Sequence, residues 1–247
     1  MIRWLAIMLL LSGDAWAGAS RAYVGANAEA MLSTSTGVTS YPATMMCWAY
    51  HTADSAVDRI FQIADDSAAF KYEMELLSRP TLELNSQCQS PASQGRAVVG
   101  SSVFTLDAWH FIAGRHIGAT DRAGYVDDSS GTNATSCSVF TVMSDVGMGR
   151  LFGTSPGNYY DGNLAYCAYW SSDIGAALLQ NDLRWGLWPE WVGGNTLEGL
   201  YPQYGVSTTT EPDLSSNGFD MTLEGTSTNI PDPDDLGPPV FFPIGGM

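Results

Sequence analysis

Gly149-Arg-Leu-Phe-Gly153 leads through Asn158-Tyr-Tyr-Asp-Gly-Asn-Leu-Ala-Tyr-Cys-Ala-Tyr-Trp170 into Ser-Ser-Asp-Ile-Gly175, and this run decides the fold class. Past the glycine turn, period-2 alternation puts Leu164, Tyr166, Ala168 and Trp170 on one side of a strand and Ala165, Cys167 and Tyr169 on the other. Both sides are apolar, so the strand is expected to lie between two packed layers. Similar signals recur at Met45 to Tyr50, Asp58 to Ala64, Phe70 to Leu77, Ala97 to Ser101, His110 to Gly114, Gly124 to Asp127, Val139 to Met143, Leu197 to Tyr201 and Phe219 to Leu223. Turn clusters such as Asp65-Asp66-Ser67 and Asp127-Asp-Ser-Ser-Gly131 separate them. Many short strands with regular turns predict an all-β sandwich of two antiparallel sheets. One short helix is predicted from Asp173 to Arg184, with Ser171 or Ser172 as N-cap, Gly186 beyond its end, and Ile174, Ala177, Leu178 and Leu183 on its apolar side.

The chain has 247 residues, enough for one sandwich domain with a sizeable core. Its 26 acidic residues outweigh 10 basic ones for a net charge of −16, and Lys71 is the only lysine. That field repels polyanions, so nucleic acid is excluded as a partner. Met1-Ile-Arg3, the apolar run Trp4 to Leu11 and Ala15-Trp-Ala17 have the n-region, h-region and cleavage site of a secretory signal, and the run is too short to span a bilayer. The alternative for residues 1–17 is an uncleaved apolar segment that docks on a neighbouring subunit. Residues 18–229 are read as the domain. Residues 230–247 are read as a tail, because Pro231, Pro233, Pro238, Pro239 and Pro243 exclude a regular element. Export would set Cys47, Cys88, Cys137 and Cys167 in an oxidising compartment, where they allow up to two bridges in three connectivities. For Cys47 and Cys167, inside apolar strands, free buried thiols are the competing expectation.

In chain order, Tyr41-Pro-Ala-Thr-Met-Met-Cys-Trp48, Trp109-His-Phe-Ile-Ala113, Tyr125-Val-Asp-Asp128 and Tyr160-Asp-Gly-Asn-Leu through Trp170 resemble the laminin-G-like, concanavalin A-like jelly-roll family. Asp128 stands where the family's third pattern has glycine, and Tyr160 where the fourth has phenylalanine. The resemblance runs from about Tyr23 to Thr228 and implies a concanavalin A-like jelly-roll β-sandwich with one short helix. Domains of this family often hold a calcium ion at the sandwich rim. That makes the turn-located Asp127, Asp128 and Asp161 candidate ligands, with ordinary turn roles as the alternative. Asp213 to Glu224 spaces oxygen donors like a calcium loop, but its flanks read as a hairpin turn before a closing strand.

The jelly roll is shared with glycosidases, whose retaining members align carboxylates along one strand. Here Glu73-Met-Glu75 lacks the third acid, since Leu77 and Ser78 occupy its places, and the pair is expected on a solvated face. His51, His110 and His116 are the only histidines, and no nucleophile elbow accompanies them. No Cys/His zinc spacing occurs. Tyr159, Tyr160, Trp185, Trp188 and Trp191 lie in or beside loops, where their rings could stack on sugars or cover the core. The expected function is therefore recognition without catalysis: a module, secreted or displayed on a particle surface, that binds glycan or protein through loops of the sandwich. The alternative is a structural virion or cell-surface decoration subunit that docks on neighbouring copies through its termini. That alternative draws on a looser likeness of Asn158 to Trp170 and Gly237-Pro-Pro239 to phage jelly-roll proteins.

Overall fold

Alternating apolar residues build two antiparallel sheets that face each other across one core. The computed structural model describes residues 20–53, 57–65, 73–90, 93–100, 103–137, 143–151, 157–185, 187, 189–192, 194–203 and 209–225. Expectations for residues 1–17, 139–142, 230–247 and Trp188 lie outside the described residues.

The strands are β1 Arg21–Tyr23, β2 Ala30–Ser33, β3 Ala43–His51, β4 Asp58–Ala64, β5 Glu73–Arg79, β6 Glu83–Ser90, β7 Ser93–Val99, β8 Trp109–Gly118, β9 Asp121–Val126, β10 Ser129–Asn133, β11 Asp145–Met148, β12 Gly162–Trp170, β13 Leu197–Tyr201, β14 Thr210–Glu211 and β15 Met221–Glu224. The smaller sheet runs β1-β12-β3-β8-β9-β10, with β13 on the same edge of β12 as β1; the larger runs β14-β15-β2-β11-β4-β5-β6-β7. Between them lie Met45, Cys47, Ile112 and Tyr169 from the smaller sheet against Phe61, Ile63, Met74, Leu76 and Val146 from the larger. The sheets approach closely where residues are small: a Cβ on Gly114 would stand 2.6 Å from Ser86 Oγ, and one on Gly131 would stand 1.9 Å from Val98 O.

The strand that set the fold class does have two apolar faces, but its parity changes midway. Ala165 pairs with Trp48 and Ala168 with Met46, so Tyr166 and Cys167 together oppose Cys47. Tyr166 takes φ 48°, a left-handed conformation that marks the bulge. Leu164, Cys167 and Tyr169 consequently face the inner core, while Ala168 and Trp170 face outward. This corrects the simple alternation expected for β12. The bulge also brings Cys167 to Cys47, and the two form a disulfide; Cys88 and Cys137 form the other. All four cysteines are paired, so the free-thiol expectation is replaced.

The outer face of the smaller sheet is covered by the excursion between β12 and β13. Ile174, Leu179, Leu183 and Val192 pack on Phe111, Tyr125, Ala168 and Trp170. The predicted helix is here a π turn, Leu178–Asp182, followed by a 3-10 turn, Leu183–Trp185. Four hydrogen bonds fasten the excursion to the sheet: Arg115 donates to both oxygens of Asp173 at 2.6 Å, Thr44 Oγ1 donates to Ser172 O at 2.8 Å, and Trp170 Nε1 donates to Val192 O at 3.0 Å. The bidentate Arg115 guanidinium holds the Asp173 carboxyl below the usual carboxylate range, and the hydrogen-bonded Asp173 carboxylate in turn pushes Arg115 up.

The solvated face expected for Glu75 is also corrected. Glu75 is fully buried: it pairs with Arg59, accepts from Gln62 Nε2 at 2.9 Å, and accepts from Gln87 Nε2. Gln62, Glu75 and Gln87 are register partners on β4, β5 and β6, so a row of polar side chains satisfies the carboxylate from both sides.

Candidate functional site

The β9–β10 hairpin turns through two residues, Asp127 and Asp128, with Val126 paired to Ser129. Asp127 sits at φ 50°, a left-handed turn position that aspartate tolerates. Its carboxylate is fixed by β8: Oδ1 accepts from Phe111 N at 3.1 Å and Oδ2 from His110 Nδ1 at 2.7 Å. The backbone N–H of Thr105 donates to His110 Nε2 at 3.2 Å, which leaves the ring proton on Nδ1 for Asp127.

Arg184 closes on this hairpin from the excursion. Its Nη1 pairs with Asp128, its Nε lies 3.8 Å from Asp127 Oδ1, and its guanidinium stands 4.8 Å from the centre of the Trp185 ring. Buried Leu179 and Leu183 anchor the two turns, so Arg184 and Trp185 are carried to the rim on a fixed base. Trp185 is 46% exposed and Asp128 83% exposed at the side chain. The rim therefore offers an aromatic face beside a paired carboxylate and guanidinium, which can stack on an apolar ring surface and hydrogen-bond its polar edge.

The site is wired to the core through rings. Phe104 lies 5.4 Å from His110 and stacks on His51 at 5.5 Å; His51 stacks in turn on Tyr160 at 5.5 Å. At His51, Ser78 Oγ is 3.0 Å and Asp58 Oδ2 3.5 Å from the same Nε2. A catalytic triad needs its acid on the other ring nitrogen, and His51, Ser78 and Tyr160 have no exposed surface. Burial drives the Tyr160 phenol well above its ordinary pKa.

No protein-family model matches the sequence, and no curated protein matches it. Solved structures do. The chain is similar to a heptameric SAP-like pentraxin of Limulus polyphemus, at 15% identity over 66% of this chain and 80% of that one, with a TM-score of 0.52. It is similar to a candidate carbohydrate binding protein of Bacteroides ovatus, at 13% identity over 85% of this chain and 58% of that one, with a TM-score of 0.60. Tailspike protein 2 of the Escherichia coli O157:H7 bacteriophage CAB120 is similar at 10% identity over 74% of this chain and 26% of its own, with a TM-score of 0.52. The fold is the concanavalin A-like jelly roll.

The jelly roll separates residues that the sequence grouped together. Asp161 accepts from Gly25 N at 2.7 Å and sits at the start of β12, while Asp127 ends β9, three strands away in the same sheet. At about 4.8 Å per strand that is roughly 14 Å, too far for one ion to bridge. Among the described residues no group of three or more His, Cys, Asp or Glu side chains is placed to hold a metal ion. Of the candidate aromatics, Tyr160 is a core residue, which removes it as a ligand contact. Tyr159 is half-buried between Asn158, whose carbonyl accepts from Arg59, and Tyr160, whose N–H donates to Gly149. Trp191, 75% exposed, stands on the 3-10 turn Pro189–Trp191 of the same excursion as Trp185. Sequence reasoning passed over Arg184. The available signal was its isolation, for it is the only basic residue after Arg150.

Proposed function

We propose that the protein is a glycan-binding module that recognises its ligand without catalysis, through the rim formed by Trp185, Arg184 and Asp128. The observation that carries this reading is the exposed indole beside an ion pair anchored to the sheet, an arrangement matched to the apolar face and hydroxyl edge of a sugar ring. Two features support recognition over hydrolysis. Glu75 is already engaged by Arg59, Gln62 and Gln87, and the Ser78, His51 and Asp58 group is closed to solvent. The likeness to a candidate carbohydrate binding protein agrees with the reading at the level of fold. Two disulfides favour an oxidising setting, so we place the module outside the cell or on a particle surface. No described helix is long and apolar enough to cross a membrane.

The test is a glycan array with the full chain, followed by titration of each hit against Trp185→Ala. Affinity should fall by about tenfold or more, the loss of one well-placed aromatic contact, with the melting temperature nearly unchanged. Unaltered binding by Trp185→Ala would remove the rim from the recognition surface.

A further inference from the structure

Resting on the reading of the Trp185 rim as a glycan site, we infer that it takes sugars without acidic groups and ranks amine-bearing sugars above neutral ones. Arg184 is the only basic side chain on the excursion, and Asp127 and Asp128 both already contact it. An acidic sugar that sought this guanidinium would have to displace two carboxylates, one of them held by His110 and the Phe111 amide. Two carboxylates thus meet one cation, and Asp182 and Glu190 are exposed elsewhere on the same excursion in a chain of net charge −16.

Arg184 covers part of the Trp185 ring, and the ring's remaining exposed area is electron-rich. An ammonium group on a sugar can meet that area while hydrogen-bonding to the solvent-facing Asp128 carboxylate. Charge complementarity therefore sets the order amine-bearing, neutral, acidic. Because Asp128 and Trp185 are solvated, the order depends on salt.

The experiment uses glucosamine oligosaccharides, their N-acetylated counterparts, and sialylated or sulfated glycans on one array with the full chain. Affinities are then measured at about 0.01 M and about 1 M salt, where screening lengths are roughly 30 Å and 3 Å. The expected result is binding confined to amine-bearing and neutral sugars. The amine form should be about fivefold tighter at low salt, with the gap closing at high salt and narrowing in Asp128→Asn. Acidic glycans binding as tightly as neutral ones would overturn the inference and leave the glycan reading standing. An amine form no tighter than its N-acetylated counterpart at low salt would overturn the ranking. Absence of binding to every class would overturn both.

Discussion

The two histidines enclosed by the sandwich and the one beneath its rim do different work with similar partners. His51 lies between Phe104 and Tyr160 and meets Ser78, and His116 meets Ser86 Oγ at 3.2 Å across the sheets; neither has exposed surface. His110 shares Phe104 with His51, but its other side meets Asp127, which leads through Arg184 to an exposed indole. A histidine and a carboxylate in contact are thus a packing device at one end of Phe104 and the base of a surface site at the other. Solvent access separates the two roles: the Asp58 carboxylate beside His51 is 4% exposed and the Asp127 carboxylate beside His110 is 26% exposed.

The largest test of that contrast is acid. Burial, and secondarily the Arg122 charge, pull the His116 pKa down to about 3 from an ordinary 6.5. The folded state therefore binds fewer protons than the unfolded chain between these values. Stability from the neutral ring is full above about pH 6.5 and is lost as pH falls towards 3, by up to about 5 kcal/mol at 1.36 kcal/mol per unit. Denaturant titrations across this window should show that slope in the native chain and a shallower one in His116→Gln. Identical slopes would mean that the enclosed histidine does not govern the acid limb.

A comparable effect is expected where the two environments join. Phe104→Ala removes a fully buried ring shared by His51 and His110, and should cost about 3–5 kcal/mol in equilibrium unfolding. A loss below about 1 kcal/mol would show that the rim and the core are not coupled through this ring.

What could be read from the sequence follows the same division. The β-sandwich was legible because Met45 to Tyr50 is a dense apolar run and because β12 is apolar on both faces. β6 was missed: its inward Leu84, Ser86 and Cys88 alternate with Asn85 and Gln87, so no hydrophobic period marks it. The parity change in β12 was invisible because the bulge residue is a tyrosine, where a glycine would have given notice. Glu75 was misplaced because its partners come from β4 and β6, 13 and 12 residues away. At the rim, Trp185, Asp127 and Asp128 were each named as candidates, but as sugar platform and calcium ligands. Their meeting depends on Arg184, 56 residues from Asp128, which no local pattern connects.

The smallest expected effect on stability is also the one that separates site from scaffold. Arg184 contacts an 83% exposed Asp128 and an Asp127 that keeps its bonds to His110 and Phe111 whether or not the guanidinium is present. With its Asp128 end in solvent the ion pair itself contributes about 0–1 kcal/mol, but the Arg184 side chain is 13% exposed, so Arg184→Ala also gives up packing of its stem and should cost about 1 kcal/mol in all. The same change removes the cation 4.8 Å from the Trp185 ring. Tryptophan emission and glycan affinity should therefore change while the denaturation midpoint hardly moves. If Arg184→Ala instead destabilised the chain by about 3 kcal/mol or more, the pair would be acting as a buried one and the rim would belong to the scaffold. A small stability change with a large change in affinity requires that the jelly roll hold the rim in place without depending on it.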